Sequence, residues 1–115
     1  MSRVNIQDNN LVISMQGARK ALTLKSELII PLENVVSAVA DPMAGKKFNK
    51  GWRLGTEIGF YSGGTFWKDG NKAFYDIART EDAVVISLKD SDFDKLVIGV
   101  ENPDATAKTI EEALK

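Results

Sequence analysis

The sequence of 115 residues predicts a mainly β domain that ends in a single α-helix. Short runs of alternating apolar and polar residues fill the first hundred positions, and glycines and prolines separate these runs. The last fourteen residues change to a helical spacing of apolar side chains. Because successive strand residues point to opposite faces, such alternation is typical of half-buried strands. Many short strands usually form a sandwich or a barrel, and we expect the helix to cover its open end.

The N-terminal half contains the clearest alternation. Leu11 and Ile13 lie on one side of a predicted strand, and Leu22 and Leu24 do the same in the next run. Gly17 lies between the two runs and predicts the reversal of a hairpin.

Pro31 follows the apolar residues 28–30. A proline cannot donate to a strand ladder, so it predicts an edge or a corner there. Residues 34–40 predict a further strand, and residues 41–51 predict a loop that carries three lysines.

Residues 55–74 contain five glycines, which raises the question of a phosphate-binding loop. The stretch has neither the G-x-x-x-x-G-K-[ST] pattern nor G-x-G-x-x-G, and no helix is predicted after its glycines. We therefore interpret them as turns, bulges and close contacts in a curved sheet. Residues 62–64 and the pair Asp69-Gly70 are both predicted to be hairpin turns.

Strands are predicted at residues 82–90 and 95–100, with a polar turn at residues 90–94 between them. The helix that follows has Asn102 at its predicted N-cap and Pro103 at its first position. One narrow apolar stripe is predicted along it, formed by Ala107, Ile110 and Leu114.

Composition excludes several kinds of chemistry. The chain has no cysteine, so disulfides, zinc–thiolate sites and cysteine nucleophiles are impossible. It also has no histidine, which removes the commonest general base and any Ser-His-Asp triad. We therefore expect no enzyme activity, no cofactor and no metal. With no signal-like or membrane-spanning apolar run, one cytoplasmic domain over residues 1–115 is expected.

Further patterns suggest ligands. Asp90, Asp92, Asp94 and Glu101 have the spacing of calcium ligands, but Lys95 occupies the position that needs glycine, so a solvated turn is preferred. Eight of the nine aromatic residues lie between positions 48 and 75, which favours core and subunit interface over a nucleic-acid platform. With a net charge of −1, nucleic acid is not an expected partner.

Carboxylate pairs such as Glu57 with Asp76 cannot be assigned from sequence alone. Two groups of basic residues could form a cationic rim for an anionic lipid headgroup or a phosphorylated ligand, if their loops open on the same end of the barrel. These candidate binding residues are Arg19, Lys20, Lys46, Lys47 and Lys50.

The order of segments resembles small bacterial proteins with a pleckstrin-homology-like (PH-like) fold. The resemblance covers nearly the whole chain and is carried by Ile-Pro-Leu at 30–32, Gly-Thr at 55–56 with Gly59, Gly-Thr-Phe at 64–66 and Glu-Asn-Pro-Asp at 101–104. The family often has a proline where residues 57–59 stand here. The resemblance implies a partly open barrel of about seven antiparallel strands, capped by a helix over residues 103–115.

The resemblance implies no activity, since one fold hosts lipid binders, peptide binders and scaffolds. The first hypothesis is a non-enzymatic interaction module that forms a homo-oligomer, or binds a protein, through sheet edges or its aromatic surface. The alternative is a peripheral binder of anionic lipid or a phosphorylated small molecule through the five basic residues.

Overall fold

The computed structural model describes residues 3–14, 27–41, 52–58, 61–68, 70–78 and 82–115. Its secondary structure is mainly β, with two sheets and a C-terminal helix, as the sequence predicts. The described strands are β1 (Arg3–Gln7), β2 (Asn10–Ser14), β3 (Glu27–Pro31), β4 (Val35–Asp41), β5 (Trp52–Ile58), β6 (Tyr61–Lys68), β7 (Asn71–Ala78), β8 (Ala83–Leu88) and β9 (Lys95–Gly99).

The first sheet is an antiparallel meander of β1, β2 and β3. Asp8 and Asn9 connect β1 to β2 with φ values of 51° and 63°, which is the backbone of a two-residue hairpin turn. Asp and Asn tolerate this left-handed region better than most residues do. Pro31 ends β3, which is an edge strand among the described strands, as the sequence predicts.

The second sheet has six strands in the order β4-β8-β9-β7-β6-β5. Each described pairing is antiparallel except that of β7 with β9, which is parallel. β9 therefore lies between β7 and β8, the two strands that precede it in the chain.

The two predicted turns in the glycine-rich stretch have different outcomes. Lys68 pairs with Asn71, and Gly70 has a φ of 82°, so the predicted Asp69-Gly70 hairpin is confirmed. The predicted turn at residues 62–64 is wrong, because these residues lie inside β6. Gly64 has a φ of 104° and pairs with Gly55, so glycine there permits an unusual strand conformation rather than a reversal.

The main core lies between the two sheets and the helix. Phe74, Val84, Ile86, Leu96 and Ile98 line the inner face of the six-stranded sheet. They contact apolar residues of the first sheet and of the helix, namely Leu11, Ile13, Leu28, Ile30, Ala107 and Ile110. The described strands of the two sheets do not pair with one another, so they form an open sandwich rather than a closed barrel.

The C-terminal helix α1 (Pro103–Ala113) forms as the sequence predicts. The Asn102 side chain accepts a hydrogen bond of 3.2 Å from the Ala105 backbone N–H and so caps the first turn. Ala107 and Ile110 are buried in the main core, and Leu114 packs against its border. The amphipathic stripe is therefore the surface by which the helix attaches to the sheets.

A helix side chain also binds the edge of the second sheet. Glu111 Oε1 accepts a hydrogen bond of 2.8 Å from the backbone N–H of Ala38 in the edge strand β4. An exposed strand edge offers unpaired N–H groups to other chains, and a covering helix reduces that exposure. Here α1 occupies part of the outer edge of β4.

Candidate functional site

The five basic residues that the sequence favours as ligand-binding groups lie outside the described residues. Arg19 and Lys20 fall in the interval 15–26, and Lys46, Lys47 and Lys50 fall in the interval 42–51. The predicted reversal at Gly17 and the predicted strand at 22–24 also fall there. The cationic rim and its anionic ligand therefore stay predictions.

The acidic turn at residues 90–94 has a structural role. Asp94 Oδ2 accepts a hydrogen bond of 2.7 Å from the Lys72 backbone N–H, and the Asp94 N–H donates to the Lys72 carbonyl. Lys95 begins β9, so the residues that would complete a calcium loop are extended. Among the described side chains, no group of three or more acidic residues is arranged to hold a metal ion.

Among the described side chains, Asp76 is the charged residue that is fully buried. It lies two residues from Phe74 on β7 and therefore on the inner face of the sheet. Asp76 makes interactions within the protein and is not an isolated carboxylate. Ser62 of β6 pairs with Glu57 of β5 on one side and with Ile77 of β7 on the other. Ile77 is the residue next to Asp76 in β7. A carboxylate pair of Glu57 with Asp76 stays a prediction, since the Glu57 side chain is outside the described part.

The described aromatic residues form ring contacts within the domain. Phe74 is fully buried and meets Phe93 edge-on at a centroid distance of 5.6 Å. On the opposite face, Phe66 is buried and meets Tyr75 at 5.2 Å with the rings nearly perpendicular. Burial raises the pKa of the Tyr75 phenol above its ordinary value of 10.0. These rings contribute to folding, in agreement with the core interpretation of the aromatic stretch.

One apolar row crosses the outer face of the six-stranded sheet. Val39, Val85, Val97 and Tyr75 are aligned by the strand register, and we call these four residues the outer row. Val97 is buried and Val85 is half-buried, whereas the Val39 side chain is 59% exposed. The outer row therefore opens to solvent at the β4 end.

Val36 adds a second exposed apolar side chain to β4. The register shifts between Val35 and Ser37, so Val36 is the extra residue of a β-bulge and is 53% exposed. Ile29 on β3, at 57%, completes the set of exposed large apolar residues among the described side chains. All three lie within eleven consecutive positions.

A groove with a volume of about 310 Å³ lies beside β3. Residues 28–31 form one wall, and the turn of residues 90–93 forms the other. Two hydrogen bonds hold this turn against the 3-10 turn Leu32–Asn34. The Lys89 N–H donates to the Asn34 carbonyl at 2.9 Å, and Asn34 Nδ2 donates to the Asp90 carbonyl at 3.3 Å. We call this feature the β3 groove.

Neither surface was identified from the sequence. The segment Val-Val-Ser-Ala-Val-Ala of β4 has apolar residues at positions that face both sides of the strand, so its pattern does not show which valine is exposed. The β3 groove joins residues about sixty positions apart. Local alternation contains no signal for such a juxtaposition.

Comparison of the chain with family models, with curated proteins and with solved structures finds no match. The PH-like resemblance therefore stays a prediction. Within the described ranges, no helix has both the length and the apolar character needed to cross a membrane.

Proposed function

We propose that the protein is a cytoplasmic, non-enzymatic interaction module of PH-like architecture that forms a homo-oligomer through the outer row. The observation that carries this proposal is the exposure of Val39, at 59%, at the open end of an apolar row on a sheet face. Exposed apolar residues that continue a buried cluster are typical of protein contact surfaces.

The position of α1 favours contact through the sheet face over contact through the strand edge. The Glu111 side chain already accepts a hydrogen bond from the backbone N–H of Ala38 on the outer edge of β4. A second chain that added a strand there would have to displace this hydrogen bond and the helix. Val39 belongs to the row that continues over Val85, so a partner can cover it without disturbing α1.

The charges around the outer row favour a second copy of the same chain as the partner. Asp41 and Lys95 are half-buried residues on either side of the row, on β4 and on β9. Asp41 also makes interactions within its own chain. A twofold contact presents the same patch from both partners, so the side of the row that carries Asp41 in one copy can face the side that carries Lys95 in the other. The residues between them are neutral and small or β-branched, which suits close packing of two sheets.

Val39→Lys tests the proposal. Burying one valine side chain contributes about 1.5 kcal/mol, and a twofold contact loses one from each copy, so association should weaken by about a hundredfold. We expect wild-type protein to form an oligomer in size-exclusion chromatography with light scattering, and Val39→Lys to shift it to the monomer. At a concentration where the wild type is also monomeric, the two proteins should have nearly the same thermal unfolding temperature, because Val39 is mainly exposed.

Ile29→Lys is the matched control, since Ile29 is equally exposed but lies on the other sheet. It should associate as the wild type does. A wild-type monomer at high concentration would contradict self-association. Equal loss of association in both variants would contradict the outer row as the interface.

A further inference from the structure

We propose that the β3 groove binds an extended basic peptide segment of a different protein, which adds to β3 as a neighbouring strand. The inference does not depend on the homo-oligomer, because no residue of the outer row lines the groove. It rests on the edge of β3 with which no described strand pairs, on the apolar surface beside that edge and on the charge around it.

Among the described strands, none pairs with the backbone of β3 on the side of the groove. β3 pairs with β2 on one side, and among the described residues no strand pairs with its other edge. No described residue of β2 lines the groove, so the groove lies along that other edge. An unpaired edge offers N–H and C=O groups at the spacing of an extended chain.

The groove supplies a site for an apolar side chain of the peptide. Ile29 is 57% exposed on its β3 wall, and the ring of Phe93 lies at its other wall. Phe93 is 7% exposed and is held edge-on against Phe74 in the main core. An apolar side chain would therefore contact a fixed ring and would cover the exposed isoleucine.

The surrounding charge selects a basic partner. Residues 27–34 and 89–94 together carry five carboxylates and one lysine. Asp90 and Asp92 line the groove and are exposed, and Glu27 is exposed on β3. Lys72 lies near the Phe93 ring, with its Nζ 5.0 Å from the centroid, and offsets one of these charges. The remaining negative potential favours lysine or arginine on either side of the apolar residue and disfavours anionic lipid.

The turn that carries the acidic residues is held in a fixed position. Asp90 has a φ of 51°, and hydrogen bonds through Lys89 and Asn34 attach the turn to the 3-10 turn after β3. The groove therefore has the same width in the free protein as in the complex with the peptide. A preformed site binds at a lower cost in conformational entropy than a site that orders on binding.

The probe is an acetylated eight-residue peptide of alternating lysine and valine, titrated into the isotope-labelled full chain at low salt and followed by amide NMR shifts. We expect shifts at residues 27–34 and 89–93. The double variant Asp90→Asn/Asp92→Asn should weaken binding by roughly fivefold, the effect of two partly screened charge pairs. Asparagine tolerates the positive φ of position 90, so the turn is retained.

Glu101→Gln/Glu112→Gln is the matched control, because it removes two exposed carboxylates that do not line the groove. It should bind as the wild type does. Val39→Lys should also bind normally, so a failure of the oligomer proposal does not affect this experiment. A peptide with an N-methyl group on every backbone amide should not bind, because neither of its edges can then donate hydrogen bonds to β3.

Several results would overturn the inference. Equal affinity of the two double variants for the peptide would show that the acidic turn does not contribute to binding. Equal binding of the N-methylated peptide would exclude strand addition. The same shifts with Ca²⁺ alone, or on concentrating the protein without peptide, would assign the groove to a cation or to a second copy of the chain.

Discussion

Replacement of Ile110 by alanine tests whether α1 is a structural part of the sandwich. Ile110 is fully buried and contacts the core shared by both sheets. The change removes three carbon atoms, which at about 0.8 kcal/mol per methylene gives about 2.4 kcal/mol. The cavity left behind brings the expected loss to about 3 to 4 kcal/mol. The higher helix propensity of alanine returns only about 0.4 kcal/mol.

Urea unfolding followed by circular dichroism measures this loss. At an m-value of about 1–3 kcal/mol per molar urea, the midpoint should fall by about 1–4 M with the slope unchanged. Ile29→Ala is the matched control, since the same atoms are removed from a side chain that is 57% exposed, and it should cost about 1 kcal/mol or less. Equal losses in the two variants would refute the reasoning. So would an early transition that removes helical signal and leaves the sheets folded.

Two further predictions concern Tyr75 and the basic residues. Because burial raises the pKa of Tyr75 above 10.0, the folded state keeps the phenol proton at a pH where the unfolded state loses it. The contribution of the buried phenol to stability is thus complete below pH 10 and is lost as the pH rises above that value. Above pH 10 the free energy of unfolding should therefore fall less steeply with pH in Tyr75→Phe than in the wild type. Parallel plots of the free energy of unfolding against pH would contradict this. For the anionic-ligand alternative, changing Arg19, Lys20, Lys46, Lys47 and Lys50 together to alanine should abolish flotation with phosphatidylserine vesicles, since each cation near such a surface contributes about 1 kcal/mol. Unchanged flotation would exclude these residues.

The local features of the fold were predictable from short segments. The Asn102 cap, the helical stripe and the Asp69-Gly70 turn depend on neighbouring residues, and the structure confirms them. The hairpin at Asp8-Asn9 has an equally local cause, since both residues tolerate positive φ, but no turn is predicted there from the sequence.

Features that depend on distant residues could not be predicted. The segment of Gly63 and Gly64 predicts a turn, because the pairing of these residues with β5 and β7 leaves no signal in the segment itself. The parallel contact of β7 with β9 joins strands separated by β8. The exposed valines of β4 resemble buried ones for the same reason, since exposure depends on what the rest of the chain covers.

The insertion of β9 between β7 and β8 has a consequence for the order of assembly during synthesis. Without residues 95–99, the described strands of the six-stranded sheet separate into the pair β4-β8 and the meander β5-β6-β7, with no pairing between them. The ribosome makes these parts first, so the sheet stays divided until β9 emerges and joins the two sections. Until then the edges of β7 and β8 are open to other nascent chains, and long-range pairings of this kind form slowly. Among the described strands of this sheet β9 is made last, and its synthesis therefore sets the earliest moment at which the edges of β7 and β8 are protected from aggregation.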